Sequence, residues 1–149
     1  MLVEAGEVGT YTAQGAITKA IDLDLDAVKI VEAGSESRTV KEATEGATRY
    51  AVVGAIESIG PPQTSQVNVA DGETVGVRKK KIVRLIVKGG SGAIGFKQPL
   101  ACAGSGKVKG LTLTASPEPG EELLAIAVAE EAVDASDEDQ AILAELKVL

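Results

Sequence analysis

The apolar positions of this chain fall into short runs with the period of strands, separated by glycine, proline and polar clusters. From Ile17 the order I-T-K-A-I-D-L-D-L-D-A-V-K-I sets Ile21, Leu23, Leu25, and then Val28 and Ile30, against the carboxylates Asp22, Asp24 and Asp26, the alternation of a half-buried strand. Residues 34–46 are polar and turn-rich. The run R-Y-A-V-V-G-A-I-E-S-I-G then reads as a strand interrupted at Gly54 and stopped by Pro61 and Pro62. Residues 61–73 form a long loop with a weak strand at 67–70, and Asp71-Gly72 marks a turn into a strand over 74–77.

Residues 81–113 carry the clearest pattern. An apolar, β-branched run (Ile82, Val83, Leu85, Ile86, Val87) gives way to glycines and Pro99 and resumes at Val108, Leu111 and Leu113, so strand and short connection repeat with no room for a helix. Near the C-terminus Leu124, Ile126 and Val128 alternate, an acidic loop covers 134–140, and the last run alternates through Leu146 and Val148. Two strands joined by that loop are expected; the alanines make a helix over 123–133 the alternative. Residues 1–16 have no clear period and read as an extended arm with one short strand around 8–12. The expected architecture is therefore all-β: a small barrel or sandwich over 17–149, preceded by the arm and interrupted by long loops.

Composition narrows this picture. At 149 residues the chain is long enough for one real core. With aromatics at 2% (Tyr11, Tyr50 and Phe96) and no tryptophan, that core must be aliphatic, and association is an expected source of added stability. The net charge of −7 argues against nucleic acid, whose phosphates need a basic field. A single cysteine, Cys102, excludes an internal disulfide and sits in an apolar context as a core residue. There is no histidine, the commonest general base and transition-metal ligand. The N-terminal M-L-V-E-A-G-E-V-G lacks the basic and apolar regions of a signal peptide, and no run approaches the ~18 apolar residues of a spanning helix. A soluble product with no membrane partner is expected.

Several motifs nearly match and fail on chemistry. Asp22, Asp24 and Asp26 begin like a calcium loop, but Ala27 stands where the sharp turn needs glycine and Ala33 where the loop closes on glutamate. Residues 90–95 fit G-x-G-x-x-G, yet Phe96-Lys97-Gln98-Pro99 follows instead of a helix. Gly104-Ser105-Gly106-Lys107 resembles the end of a phosphate loop, with Ala101 and Val108 where glycine and a hydroxyl are required. Lys107 and Lys109 flank a hairpin without the hydrophobic frame of a swinging-lysine carrier. No cofactor and no metal is expected. One basic cluster remains, Arg78, Lys79, Lys80, Lys81 and Arg84. It reads as a guard on a strand edge or as an electrostatic contact with an acidic partner subunit, and no aromatic sits within it for stacking on bases.

Taken together, Asp71-Gly72-Glu73-Thr74-Val75-Gly76-Val77, the run from Ile82 to Val87, G-A-I-G-F-K-Q-P-L, G-S-G-K-V-K-G-L and L-A-I-A-V-A-E-E-A-V-D resemble the small capsid cement, or decoration, proteins of tailed bacteriophages and related viruses. Gly72, Val75, Val77, Ile94, Pro99, Leu100, Gly106, Lys107, Val108, Ile126, Ala129 and Ala132 fall on that family's positions. The likeness covers 70–149 well and 17–60 loosely, and departs at Phe96-Lys97 and at Ala125. It implies a β-tulip-like module, commonly a homotrimer, made in the host cytoplasm and carried on the exterior of an icosahedral capsid, where it bridges subunits of the major capsid protein. The residues expected to touch the shell are Val8 and Tyr11 of the arm, Pro61, Pro62 and Gln63 of the long loop, and Arg78, Lys79, Lys80 and Lys81. The alternative is a ligand-binding or carrier β-barrel of a bacterial assembly. An enzyme, the third reading, would need a metal held by carboxylates such as Asp22, Asp24 and Glu130.

Overall fold

A computed structural model describes residues 8–17, 27–57, 69–79, 82–112, 116 and 119–148. Along the chain come β1 (Val8–Ala13), β2 (Ala27–Val28), β3 (Ile30–Ala33), β4 (Thr39–Glu42), β5 (Val52–Glu57) and β6 (Thr74–Arg78). They are followed by β7 (Ile82–Val87), β8 (Gly92–Ile94), β9 (Pro99–Gly104) and β10 (Lys107–Gly110). After the single helical turn α1 (Pro119–Glu122) come β11 (Ala127–Ala129), β12 (Val133–Ala135) and β13 (Gln140–Leu146). Among the described residues every element apart from that turn is a strand, the all-β class that the alternation predicts.

The strands close into two barrels. In the first, the order is β1-β4-β3-β5-β6, with β6 returning to β1. The second follows β10-β9-β11-β13-β7 and is closed by the parallel pair Val108↔Val87, where the Lys88 amide donates to the Val108 carbonyl at 2.9 Å. β2 pairs in parallel with β7, and β8 with β12 makes a separate two-stranded ribbon. Closure removes the free edges that an aliphatic sheet would otherwise offer to other chains.

The barrels share a wall, and the sequence of that wall shows why. In β3, Ile30 packs into the larger core with residues such as Ala55 and Ile126, while its neighbour Val31 packs into the smaller core with Val40 and Val77. β5 divides its residues the same way, Val52 and Ala55 on one side and Val53 and Ile56 on the other. A strand buried on both faces reads as a continuous apolar run, which V-V-G-A-I is. Gly54 sits where β6 crosses closely: a Cβ there would run into the Arg78 carbonyl. The register of β3 against β5 shifts between Val31 and Glu32, beside that glycine.

Several expectations change. Residues 34–46 hold a strand, β4, hidden among polar neighbours because only Val40 of T-V-K-E is fully buried. Residues 123–133 are not a helix, and the C-terminal part has three strands rather than two, since Glu130-Glu131-Ala132 separates β11 from β12. The short strand expected at 8–12 is β1, but it is a barrel wall paired on both sides, with β4 and β6, and no arm laid over a neighbour. Residues 1–7 and 18–26, and with them Asp22, Asp24 and Asp26, lie outside the described residues. Asp71-Gly72 is the expected turn: the Gly72 amide donates to the Ala13 carbonyl at 2.8 Å, the Asp71 carboxylate accepts from the Gly15 amide at 2.8 Å, and Gly72 has φ +87°.

Candidate docking surface

Of the residues expected to touch a shell, the structure brings Val8 and Arg78 directly opposite each other in the β1–β6 register, with Lys79 next along the chain. Tyr11 lies further along β1, half-buried, with the Arg38 guanidinium 4.5 Å from its ring centre. Arg38 takes a left-handed φ of +60° and donates to the Thr10 carbonyl at 2.6 Å, so this turn is pinned onto β1. Pro61, Pro62, Gln63, Lys80 and Lys81 lie outside the described residues. The edge-guard reading fails for Arg78 and Arg84. Arg78 is paired with both Val8 and Ala55, and Arg84 with both Ala27 and Leu143, so each strand has neighbours on both sides.

The other candidates resolve into structural parts. Gly92–Ile94 of the G-x-G-x-x-G match is β8, and a turn over 95–98 follows it. Gly104 to Lys107 is the β9–β10 hairpin, with Ser105 and Gly106 at positive φ of 53° and 73°. The Cys102 thiol is fully buried, and burial, aided by the charge of Glu32, pushes its pKa up to about 12, which makes it a poor nucleophile. Glu130 is held by Lys97 at 2.9 Å. No cluster of three or more histidine, cysteine, aspartate or glutamate side chains is found among the described residues, and no described helix is long and apolar enough to cross a membrane.

A surface that the sequence did not single out lies on the outer wall of the second barrel. Directly opposed residues share a sheet face. The registers Ile82↔Glu145, Glu145↔Val128 and Val128↔Pro99 therefore lay four residues in one row across β7, β13, β11 and β9. The alternate residues Ala127, Ala129 and Ala144 point inward and are buried. At one end of the row Ile82 is 49% exposed; beyond the other, the turn before Pro99 presents Phe96 at 63%. That turn is fixed rather than loose. The Gly95 amide donates to the Gln98 side chain at 2.9 Å, and the Lys97 amide to the Ala129 carbonyl at 2.8 Å.

Ion pairs tile the space between these apolar groups. Lys97 joins Glu130 at 2.9 Å with its ammonium 5.1 Å from the Phe96 ring centre, Arg84 meets Glu131 at 3.4 Å, and Lys147 meets Glu145. The hydrogen bond from Lys147, then its charge, and also the charge of Lys97, hold the Glu145 carboxyl below its ordinary pKa. The alternation of Leu124, Ile126 and Val128 puts Val128 on the face of Ile126, but Ile126 is fully buried and in β11 it is Ala127 and Ala129 that turn inward, leaving Val128 on the outside. The rest of the row depends on pairings between distant segments. All three aromatic side chains of the chain stay out of the fully buried core; Tyr50, at 74% exposure, is the third.

No family model and no curated protein matches the sequence. Among solved structures, the chain is similar to the head fibre gp8.5 N base of bacteriophage phi29. The two are 12% identical with a TM-score of 0.55, over 94% of this chain and 92% of that one. A likeness at this identity is one of fold, and it spans both barrels.

Proposed function

We propose that this chain is a structural protein of a bacteriophage virion, seated on the exterior of the icosahedral shell as a homotrimeric cement that bridges major capsid subunits. The observation that carries the proposal is the fold shared with a phage head-fibre base along nearly the whole length of both chains. The strand and turn residues that resemble capsid decoration proteins, from Gly72 to Ala132, point the same way. The carrier reading has nothing in its favour among the described residues, since aliphatic side chains fill both barrel interiors.

A cement acts by mass action. It binds the assembled shell across several subunits, so rupture must also break its contacts, and each copy adds stability only to the assembled state. The test is to mix the purified chain with expanded shells of the phage that carries it, then sediment and heat them. The expected result is co-sedimentation to a saturating stoichiometry and a higher rupture temperature, with a trimer mass by light scattering. A chain that stays in the supernatant and leaves rupture unchanged would refute the proposal.

A further inference from the structure

We infer that the outer wall of the second barrel, with Ile82 at one end and Phe96 at the other, is the face by which copies of this chain meet one another. The inference rests on the homotrimer in the reading above, and it adds the face and the way the copies are joined.

Two features mark this wall as an interface. Of the three large apolar side chains that stand most exposed among the described residues, two lie here, Ile82 and Phe96. Between them Val128 and Pro99 are half-buried, and in the next outward-facing row Leu143, also half-buried, stands opposite Arg84. Four strands at about 4.8 Å spacing make the row about 14 Å across, and apolar groups gathered beside one aromatic residue are how interfaces concentrate their affinity. The Phe96 turn is also preorganised by the hydrogen bonds of Gly95 and Lys97, so little ordering remains to be done on binding.

Charge names the partner. The ion pairs around the row are Lys97 with Glu130, Arg84 with Glu131 and Lys147 with Glu145, and these six charges sum to zero. The chain as a whole stands at −7, so its acidic excess is carried by other residues. Two copies of so acidic a chain repel wherever that excess faces itself, but across these pairs they close without setting like charge against like. A strongly basic or acidic partner finds no net charge in them to recognise. A second copy brings the same interleaving of apolar groups with both signs of charge, so each cation has carboxylates to meet and each apolar group a counterpart. In a closed ring of three the contact is heterologous, one end of the patch meeting the other end on the next copy. Ile82 of one copy therefore lies against Phe96 of the next.

The test measures mass by light scattering over a range of protein and salt concentrations for wild type, Phe96→Asp, Ile82→Asp and, as the control, Tyr50→Asp. Thermal unfolding confirms that each variant is folded. Wild type is expected to be a trimer that holds as salt rises, because the contact joins no net opposite charge. Phe96→Asp should weaken each contact about 30-fold, the size of a hot-spot loss, with Ile82→Asp weakening it less and Tyr50→Asp matching wild type. Oxidation of the double variant Ile82→Cys, Phe96→Cys should link three chains covalently, while Ile82→Cys or Phe96→Cys alone should link none. Cys102 is fully buried and stays out of that reaction. If wild type is a trimer and both aspartate variants leave it intact, the face is wrong while the homotrimer stands. A double variant that does not link, or a covalent dimer from either single variant, would overturn the end-to-end contact. If wild type itself is a monomer, the homotrimer fails and the inference falls with it.

Discussion

Among the described residues, the first barrel gathers seven buried side chains about its axis, among them Val31, Val40, Ile56 and Val77, whereas the second gathers nineteen, with Leu85, Leu100, Ile126 and Ile142 among the largest. The traffic between them runs one way. Ile30, Val52 and Ala55, from the first barrel's β3 and β5, belong to the second core, while the described residues of the smaller core come from the first barrel's strands and from Ile17, just beyond β1. β3 and β5 are therefore held from both sides, and β1, β4 and β6 are held from one. The smaller barrel is built onto a wall that the larger one stabilises, so damage to the larger core should spread and damage to the smaller one should stay local.

The comparison breaks most directly at Leu85, fully buried in the larger core. Leu85→Ala should cost about 3–5 kcal/mol, and chemical denaturation should show both barrels lost in one transition. At the shared wall, Gly54→Val puts a side chain into the Arg78 carbonyl. That should cost about 2–3 kcal/mol, and hydrogen exchange should show β5–β6 amides opening while β7–β13 amides stay protected.

The next effect lies where the barrels join. Lys29 is only 7% exposed and meets Glu42, itself partly exposed, at 2.7 Å. Glu42→Gln removes the carboxylate charge 2.7 Å from the buried Lys29 ammonium and should cost about 1–2 kcal/mol. Lys29→Met removes the buried charge, leaves a carboxylate that water can reach, and should cost less in the same denaturation assay.

The smallest effect belongs to Asp139 in the second barrel. Burial raises its pKa, but hydrogen bonds from Lys107 and the Gly89 amide, with the charges of Lys107 and Lys29, outweigh burial and leave it below the ordinary value. A depressed carboxylate stabilises the fold above its unfolded pKa and loses that contribution as pH falls through the folded value. Asp139→Asn should therefore be slightly less stable than wild type at neutral pH, and the gap should close as the solution is made acidic. A gap that widens in acid would reverse the assignment.

How much of this was legible in the sequence differs between the barrels for the same physical reason. β7 and β13 announce themselves because dense apolar runs such as I-V-R-L-I-V leave no other option, and Cys102 reads as a core residue from its neighbours alone. β4 does not, since Val40 is its one fully buried residue and the barrel needs no more from it. The two-sided burial of V-V-G-A-I is visible as a run, but which two cores it serves depends on pairings between distant strands. The outer row of the second barrel is the extreme case. Ile82, Pro99, Val128 and Glu145 are scattered along the chain and meet only through register. Reasoning from the sequence turned instead to Val8 and Tyr11, to Pro61, Pro62 and Gln63, and to the basic run Arg78, Lys79, Lys80 and Lys81, segments that stand out locally as arm, loop and charge cluster. The one local clue was that Phe96-Lys97 departs from the pattern of the family that the chain resembles. Those two residues form the exposed tip of the turn.

Native-state hydrogen exchange over a range of low denaturant concentrations tests the one-way dependence of the barrels most directly. The account predicts that amides paired between β7 and β13 exchange only through global unfolding, with the full denaturant slope. Those of β1 and β4 should exchange through a smaller opening at lower free energy. Identical free energies and slopes in both barrels, or a first barrel that outlasts the second, would contradict it.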